Sequence, residues 1–427
     1  MYKMKLYDIF TIDNLVENVK FHTSIGIHTF ALCTTNDHKY FDKILYNILA
    51  YLKGRSAIKS FGCLYAIYSK YLKQKDQMIT LPYVRIHYGI SLSLYTFINN
   101  HNHPVYQAKI IVNPSLFVES FNKGFDPECY DYTRIIPRDL EFWNKFRELL
   151  NDFLTKWGIL NDSKVFSINL SRADSCADIS LPQDFPISKY IGYHHRVLKS
   201  FSYNDEIFSS EDQYAHQLTT CNKNQAFTMY EKMHEQKVHH HNYYDDGSHL
   251  LRLEYKLFPA KIRDILSKLS EIMVLEIPQQ VTSKKSLDTV LDTVHYLVML
   301  SPIVLLYGIK LIFPRGSFYT RKDARRRIKA NVHNKNSRKL MCDILRKLSS
   351  CEDYSDVVNA SNRMKESLTP LRYYRIMNKF RMLGIAPLYL DKEDSDIGLL
   401  PCVYDLFLSA LIQTEEEYMY IQAILPE

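Results

Sequence analysis

The chain has 427 residues, which is enough for two or three domains with ordinary hydrophobic cores. Hydrophobic residues make up 46% and charged residues 24%, which excludes an intrinsically disordered chain. The formal net charge is only +7, so the distribution of charge is more informative than its sum. The 32 tyrosines suit core edges and base stacking alike, and an AT-rich coding bias would also raise their number.

The eight cysteines are scattered singly, without a CxxC pair. They predict neither a disulfide framework nor a zinc knuckle, and they fit a reducing cytoplasm. The first residues lack the apolar segment of a secretory signal. We therefore expect a cytoplasmic protein, in the cytoplasm of a host cell.

Alternating apolar and polar residues predict strands in the first part of the chain, and apolar residues at helical spacing predict helices. The predicted strands are Ile25–Leu32, Tyr83–Tyr88, Ser91–Phe97 and Tyr106–Val112, and the predicted helices are Tyr40–Tyr51 and Arg138–Trp157. Residues 99–104 are turn formers, so the two strands that flank them form a hairpin. His101 and His103 are interpreted as exposed turn residues.

A further strand, Lys164–Leu170, continues into a segment that holds Asp174 and Asp178. Two carboxylates four residues apart, just beyond a strand, can hold a hard cation such as Mg²⁺ or Mn²⁺. The alternative is a surface turn or helix cap, in which Asp and Ser are common.

The next part of the chain repeats this order of elements in outline. It predicts a strand over Ile191–Val197, a strand that ends at Tyr230, a short helix from Glu231, a strand over Arg252–Leu257 and a helix over Pro259–Ser270. The two similar strand-strand-helix-strand halves predict an α+β domain over residues 1–275, with an antiparallel sheet covered by helices.

Residues 276–320 are predicted to connect this domain to the rest of the chain. Their apolar run Val294–Phe313 contains His295, Pro302 and Lys310, which argues for a buried helix and strand and against a stable membrane association. A membrane-associated protein that uses this run remains an alternative.

Residues 321–427 are predicted to form a basic, mainly helical domain. Eleven Lys or Arg residues lie between Arg321 and Lys347, among them Arg325, Arg326 and Arg327, and such a block can neutralise phosphates. A helix over Leu371–Leu383, with Thr369 as its N-cap, presents Arg372, Arg375 and Lys379. The helices suggest a winged-helix-like DNA-binding unit, and a solvated helix surface is the alternative.

One constellation suggests phosphodiester chemistry. A tyrosine hydroxyl can attack phosphorus and form a phosphotyrosine link, provided that carboxylates hold a divalent metal and cations stabilise the developing charge. Tyr230 would be the nucleophile, Lys232 and Arg252 the charge stabilisers, and Glu254, Asp174 and Asp178 the metal ligands. The alternative is a structural ring and the solvated charged face of a strand.

The segment that follows Tyr230 leaves two alternatives open. Tyr243 and Tyr244 are rival nucleophiles, and the cluster His239–His241 can either bind a metal or belong to a flexible loop. The spacing of His234, Glu235 and His239 is one residue longer than an HExxH motif. Walker A, GxGxxG and GxSxG motifs are absent, so the sequence gives no positive support for ATP hydrolysis, dinucleotide binding or serine hydrolysis.

Three successive stretches, RxDxxxD at Arg172, a Tyr-acid-Lys triplet at Tyr230 and RxExxL at Arg252, resemble the rolling-circle replication initiators of filamentous phages, the gene II/X type. They are also similar to the related plasmid initiators of the Rep-trans family. The Arg- and Tyr-rich helix that ends at Gly384 is similar to the helix that follows the nicking domain in these proteins. The resemblance covers about residues 160–390.

This resemblance implies a site-specific enzyme that nicks and rejoins one DNA strand at a phage or plasmid origin. It implies dependence on Mg or Mn, single-stranded or origin DNA as substrate, and a host helicase and DNA polymerase as partners. Tyr230, Lys232, Arg252 and Glu254 fall on the family's best-marked positions, and Asp174 falls on its first acidic motif. The His-hydrophobe-His metal motif of the wider superfamily is absent. A non-catalytic winged-helix DNA-binding regulator is the alternative function.

Overall fold

The structure is a computed structural model that describes most of the chain. The described residues are 15–36, 38–72, 79–127, 134–160, 167–201, 208–209, 216–238, 249–273, 286–351 and 354–424. The protein is a mixed α/β structure with a large antiparallel sheet and many helices, in agreement with the α+β class predicted from the sequence.

Thirteen strands are present in the described part of the chain. They are β1 (Lys20–Phe21), β2 (Gly26–Asn36), β3 (Ile79–Thr80), β4 (Val84–His87), β5 (Ile90–Ile98), β6 (Pro104–Val112), β7 (Ser167–Ser180), β8 (Phe208–Ser209), β9 (Gln217–Asn222), β10 (Gln225–Glu231), β11 (Leu250–Leu257), β12 (Phe318–Tyr319) and β13 (Leu399–Leu400).

The same residues contain fourteen α-helices and one 3₁₀ helix, Lys392–Ile397. The α-helices are α1 (His38–Lys53), α2 (Lys59–Leu72), α3 (Pro114–Glu119), α4 (Leu140–Lys156), α5 (Ile187–Phe201), α6 (Lys232–Val238), α7 (Pro259–Met273), α8 (Leu287–Ile312), α9 (Arg321–Asn331), α10 (Lys335–Ser349), α11 (Tyr354–Leu368), α12 (Pro370–Met382), α13 (Val403–Gln413) and α14 (Glu415–Ile424).

The chain divides into two compact units, and each of them is built from separate segments. We call Ile25–Cys176 with Lys256–Ser301 the amino-terminal unit, and Met1–Ser24, Ala177–Tyr255 and Pro302–Glu427 the carboxy-terminal unit. The chain passes from one unit to the other within β7, β11 and α8. These boundaries differ from the contiguous domains 1–275, 276–320 and 321–427 that the sequence suggested.

The sheet of the amino-terminal unit has the strand order β3-β5-β6-β2-β7. Strand β4 pairs with the first residues of β5, Ile90 to Leu92. β5 and β6 form the predicted hairpin, with Ile98 opposite Pro104. Helix α4 contacts this sheet through Phe146, whose ring lies 6.1 Å from the ring of Phe30 on β2, and its other buried side chains include Trp143 and Leu150. Asp139 begins α4 by accepting hydrogen bonds from the backbone of Glu141 and Phe142, which satisfies free amides of the first turn.

In the carboxy-terminal unit the last residues of β7 lie beside β11, followed by β10, β9 and β8, while β1 pairs with the other edge of β7. β9 and β10 form an antiparallel hairpin in which Gln217 is opposite Tyr230. Tyr255 fixes β11 by donating a 2.5 Å hydrogen bond to Gln225 of β10. A Cβ at Gly308 of α8 would lie 2.6 Å from the Tyr255 ring, so this close approach requires glycine.

The four helices α9 to α12 enclose a hydrophobic core of their own. Its buried members include Ile328 of α9, Leu345 of α10, Val357 of α11 and Phe380 of α12. Thr320 caps α9 and Asn334 caps α10 through side-chain bonds to backbone amides of the first turn. Thr369 is the N-cap of α12 and Pro370 lies in the first turn, as predicted, but Thr369 has φ 65° and makes no side-chain cap bond.

Two predicted elements differ in type. The strand predicted over Ile191–Val197 is part of helix α5, because Ile187, Tyr190, Ile191, His194 and Val197 are buried at helical and not alternating spacing. The apolar run Val294–Phe313, predicted as a helix and a strand, lies almost wholly in the single helix α8.

Helix α8 is also the one helix within the described residues that is long and apolar enough to cross a membrane, judged by length and composition alone. Most of its apolar segment is buried inside the protein, as is also the case for a helix in a protein core.

Candidate active site on the sheet of the carboxy-terminal unit

Tyr230 lies next to the last residue of β10, where the sequence predicted a strand end. Its side chain is half-buried, and the residue pairs with Gln217 across the hairpin. Burial raises the pKa of Tyr230 well above its usual value; the charge of Arg252 opposes this rise, and the carboxylates of Glu254, Glu235 and Asp178 add to it. The hydroxyl is therefore protonated at neutral pH and shares an electrostatic environment with an arginine and three carboxylates.

Asp178, at the end of β7, forms the centre of a buried ionic cluster. Arg252 donates from Nε to Oδ1 at 2.6 Å and from Nη2 to Oδ2 at 2.7 Å, and Lys232 Nζ donates to Oδ2 at 3.0 Å. Burial would raise the pKa of Asp178, but the charges and hydrogen bonds of Arg252 and Lys232 outweigh it and hold the pKa well below its usual range. We call Asp178, Lys232 and Arg252 the ionic cluster.

The period-two alternation of apolar and charged residues correctly predicted strand β11. The alternative interpretation, in which the charged residues of this strand form a solvated face, is wrong. Arg252 is 0% exposed and Glu254 7%, and the neighbouring Leu251, Leu253 and Tyr255 are buried as well. A bidentate guanidinium-carboxylate pair supplies the strong hydrogen bonds that make the burial of two charges tolerable. Arg252 and Lys232, predicted as stabilisers of phosphate charge, thus contact Asp178, which was predicted to be a metal ligand.

Asp174, the other aspartate of the predicted metal site, belongs to the amino-terminal unit and has different partners. Its Oδ2 accepts from Thr29 Oγ1 at 2.5 Å and from Arg172 Nη2 at 2.9 Å. Asp174 and Asp178 lie within strand β7 and not in a turn beyond it, because the strand continues to Ser180. Each aspartate is neutralised by its own basic neighbours.

Asp174 belongs to one compact unit and Asp178 and Glu254 to the other, so the metal site predicted from these three residues stays a prediction. Within the described residues, no group of three or more His, Cys, Asp or Glu side chains is arranged to hold a metal ion. A hard cation needs several carboxylate or carbonyl oxygens directed at one point, whereas the oxygens of Asp178 face Arg252 and Lys232. His239–His241, Tyr243 and Tyr244 lie outside the described residues.

A histidine that the sequence analysis did not single out lies at the open end of the β9–β10 hairpin. His216 Nδ1 is 2.6 Å from Glu231 Oε2, and the His216 ring stacks on His234 with centroids 3.8 Å apart. The side chain of Glu231 leaves β10 on the face opposite to Tyr230, because consecutive strand residues alternate. Glu231 lies 15 positions after His216, so no local motif could have revealed this pair.

The basic residues predicted to bind DNA lie on the surface of the four-helix group. Arg325, Arg326, Arg372 and Arg375 are exposed, and Arg326 also pairs with Asp323 one turn earlier. Arg327 lies over the ring of Tyr319 at 4.3 Å, and Lys379 donates a 3.0 Å hydrogen bond to Ser337 of α10. The last two side chains thus have a packing role, while the other four are presented to solvent.

No protein-family model matches this chain, and no curated protein matches its sequence.

Proposed function

We propose that the protein is a rolling-circle DNA replication initiator that nicks and rejoins one strand at a phage or plasmid origin through Tyr230. The observation that carries the proposal is the position of Tyr230 at a strand end, within electrostatic range of Glu254, Glu235 and Arg252. A covalent strand-transfer enzyme needs a tyrosine hydroxyl, an acceptor for its proton and nearby positive charge. The resemblance of three short motifs to gene II-type and Rep-trans initiators supports the same conclusion.

In the proposed step, Tyr230 Oη attacks phosphorus and forms a P–O bond while the bond from phosphorus to O3′ breaks. The products are a 5′-phosphotyrosine link and a free 3′-OH, so the reverse reaction can rejoin the strand. The raised pKa of Tyr230 means that the phenol proton must move to a base during attack. Glu254 and Glu235 are the carboxylates within electrostatic range that can accept it, and the leaving O3′ takes up a proton.

The ionic cluster has a positioning role in this proposal. Arg252 is fully buried and Lys232 is 3% exposed, so neither side chain is placed to grip a phosphate from solution. They fix β7, β11 and the start of α6 around Tyr230 through Asp178. Dependence on Mg or Mn remains part of the proposal through the family resemblance, and no step is routed through the metal.

The proposal also includes the finer architecture suggested by the sequence. The sheet would derive from two similar halves, and α9 to α12 would form a winged-helix-like part that holds single-stranded or origin DNA through Arg325, Arg372 and Arg375. The protein would act in the host cytoplasm, without stable membrane association, together with a host helicase and DNA polymerase.

The test is to incubate the full-length protein with supercoiled DNA of the replicon that carries its gene, with Mn²⁺ or Mg²⁺ present. We expect open circles with protein attached to the 5′ end, and mass spectrometry should map the adduct to Tyr230. Tyr230→Phe should abolish the adduct, whereas Tyr243→Phe and Tyr244→Phe should retain it. An adduct that survives Tyr230→Phe and disappears with either other substitution would move the nucleophile to that residue.

A second function is favoured by a specific observation. Asp178, Arg252 and Lys232 satisfy one another in the protein interior, and the described residues hold no group suited to a metal ion. Both features suit a non-catalytic DNA-binding regulator in which this cluster serves stability. Such a protein would bind the same DNA and leave every circle closed under all of the conditions above.

A further inference from the structure

Eight aromatic side chains of the amino-terminal unit form one continuous series of ring contacts. In order, they are Phe61, Tyr51, Trp157, Phe153, His87, Phe121, Tyr88 and Phe125, and we call them the aromatic row. Centroid separations along the row range from 5.1 to 6.3 Å, and His87 links both Phe121 and Tyr88 to the rest. Aromatic pairs at such separations stabilise one another in edge-to-face or stacked geometries.

The row is assembled from five separate parts of the sequence, which is why no local motif indicates it. Helices α1, α2 and α4 contribute Tyr51, Phe61 and Phe153, and the turn between β4 and β5 presents Tyr88. That turn depends on Gly89, whose φ is +75° and where a Cβ would lie 2.6 Å from the Asn113 carbonyl oxygen and the Phe117 amide nitrogen. The backbone is thus held tightly where the row reaches the surface.

Several of these rings are accessible to solvent. Phe121 is 46% exposed and Tyr88 38%, while Tyr51 and Trp157 are half-buried. A single exposed aromatic residue is ordinary in a folded protein, but a contiguous exposed group marks an interaction surface. The ring of Phe117, which is fully buried, supports Phe121 and Phe153 from inside.

The charges that accompany the row are mainly positive. The segments 51–61, 83–89, 119–126 and 153–157 carry two carboxylates, Glu119 and Asp126, and six exposed Lys or Arg: Lys53, Arg55, Lys59, Arg85, Lys123 and Lys156. The Arg55 guanidinium lies over the Tyr51 ring at 4.0 Å, and the Tyr51 hydroxyl donates to the backbone carbonyl of Arg85 at 3.0 Å. Glu119 also pairs with Arg134, which reduces the negative charge further.

We propose that the aromatic row is a binding surface for single-stranded nucleic acid. Bases would stack on Tyr88, Phe121 and Trp157, and the surrounding Lys and Arg side chains would neutralise the phosphates. A duplex fits this surface less well, because its bases are already stacked on one another. The inference does not require Tyr230 chemistry, since every residue of the row belongs to the amino-terminal unit.

Charge complementarity favours this occupant over an apolar protein segment. An apolar partner gains nothing from six exposed cations around the rings, whereas a polyanion with flat unstacked bases uses both features. An acidic peptide could use the cations but would leave the rings without bases to stack on. Substitution of a surface ring should therefore weaken the binding of a single-stranded nucleic acid and leave the binding of an acidic peptide unchanged.

Trp157 provides the readout for the test. The chain has two tryptophans, and Trp143 is fully buried, so quenching of tryptophan fluorescence by added oligo(dT) reports on Trp157. Titration of the full-length protein should give quenching that saturates, together with increased anisotropy of a labelled oligo(dT). Trp157→Phe should remove the quenching and keep most of the anisotropy change.

Tyr88→Ala and Phe121→Ala should each weaken the binding reported by Trp157 about tenfold, as expected for loss of one stacked base. Phe97→Ala is the matched control, because Phe97 is 37% exposed at the opposite end of β5 and lies outside the row; it should leave binding unchanged. Arg55→Gln should lower the dependence of log K on log salt by about 0.7, the value for one phosphate contact of a single strand.

Two results would overturn the inference. One is unchanged quenching and affinity in a Tyr88→Ala, Phe121→Ala double variant that retains its circular dichroism spectrum. The other is quenching by a poly-Glu peptide but not by oligo(dT), which would assign the surface to an acidic protein segment. Tyr230→Phe should bind oligo(dT) at the row like the wild type, so loss of strand transfer and loss of this binding can be told apart.

Discussion

The sequence predicts phosphate contacts for two sets of charged side chains, one on strand β11 and one on helices α9 and α12. The structure buries the first set in the protein interior and exposes the second set to solvent. Arg252 on β11 is fully buried and paired with Asp178, whereas Arg325, Arg372 and Arg375 on the helices are exposed. The first set therefore holds the protein together, and the second is available to a ligand. Residue type alone does not distinguish these roles.

The difference follows from what each element leaves uncovered. A helix on the surface of a small core buries one stripe, so its charged residues remain in water, where phosphate contacts are possible. A strand inside a sheet can be covered on both faces, and a charge between two buried leucines must then find a partner of opposite sign. Asp178 lies 74 positions before Arg252, and this distance in sequence conceals the pair.

The largest effect on stability should come from breaking the ionic cluster. Asp178→Asn keeps the size of the side chain but removes the buried negative charge that Arg252 and Lys232 share. We expect the free energy of unfolding to fall by about 3–5 kcal/mol, the usual cost of removing one partner from a buried pair. Urea denaturation of the wild type and the variant, followed by circular dichroism, measures the difference.

Asp264→Asn is the control for this substitution. Asp264 pairs with Lys261 and Lys268 on the surface of α7, so its loss should cost about 1 kcal/mol or less. Equal losses for the two variants would mean that the ionic cluster carries no more energy than a surface pair. The contrast between the interior of the sheet and the exposed helices would then lose its energetic basis.

The cluster should also make the fold sensitive to acid at low pH. The pKa of Asp178 is lower in the folded than in the unfolded chain, so its contribution is complete above the unfolded value of about 3.9 and is lost as the pH falls towards the folded value. Unfolding midpoints in urea, measured from pH 5 down to pH 2, should therefore fall less steeply in Asp178→Asn than in the wild type. Parallel curves would contradict this expectation.

A second acid-sensitive contribution, which begins at a higher pH, is expected from His194 of α5. Its ring is fully buried against the rings of Tyr190, Phe313 and Phe318, and burial lowers its pKa to about 3. Between an unfolded pKa of about 6.5 and this value, the unfolded chain binds one proton more than the folded chain, so stability falls by about 1.4 kcal/mol for each pH unit of acidification. His194→Leu should remove this slope.

The measurement is the difference in unfolding free energy between His194→Leu and the wild type at pH 7, 6, 5 and 4. The difference should shift in favour of the variant as the pH falls, and a constant difference would show that the folded and unfolded chains take up the same number of protons at His194. His38→Leu provides a control, because this histidine is half-exposed in its pair with Asp42.

The secondary structure was largely predictable from the sequence, for reasons that particular elements make clear. Hairpin β5–β6 and helix α4 have strict periodicity and clear turn or cap residues, and both were predicted correctly. The strand predicted within helix α5 is wrong because the short run IGYHHRV does not include Ile187 and Tyr190, which reveal the helical spacing. A helix or strand was therefore predicted correctly where its hydrophobic pattern extended over many residues.

The candidate site was less predictable, because its geometry depends on contacts between distant residues. Tyr230, Arg252 and Asp178 were chosen from the sequence, and the structure brings them into one electrostatic environment. The sequence could not show that Arg252 and Lys232 neutralise Asp178, that Asp174 has its own arginine, or that His216 stacks on His234. These relations are set by strand order and register, which short motifs do not encode.

The smallest expected effect tests the exposed side of the comparison. Arg372→Gln and Arg375→Gln each remove one exposed charge from α12 and no buried contact, so unfolding in urea should be nearly unchanged. If these residues contact phosphates, each substitution should lower the slope of log K against log salt for duplex DNA by about 0.9 and weaken binding a few-fold.

Arg346→Gln is the matched control, since Arg346 is exposed on α10 but pairs with Asp343. An equal loss of DNA affinity in Arg346→Gln would show that binding depends only on the total charge of the helices and not on a particular face of α12.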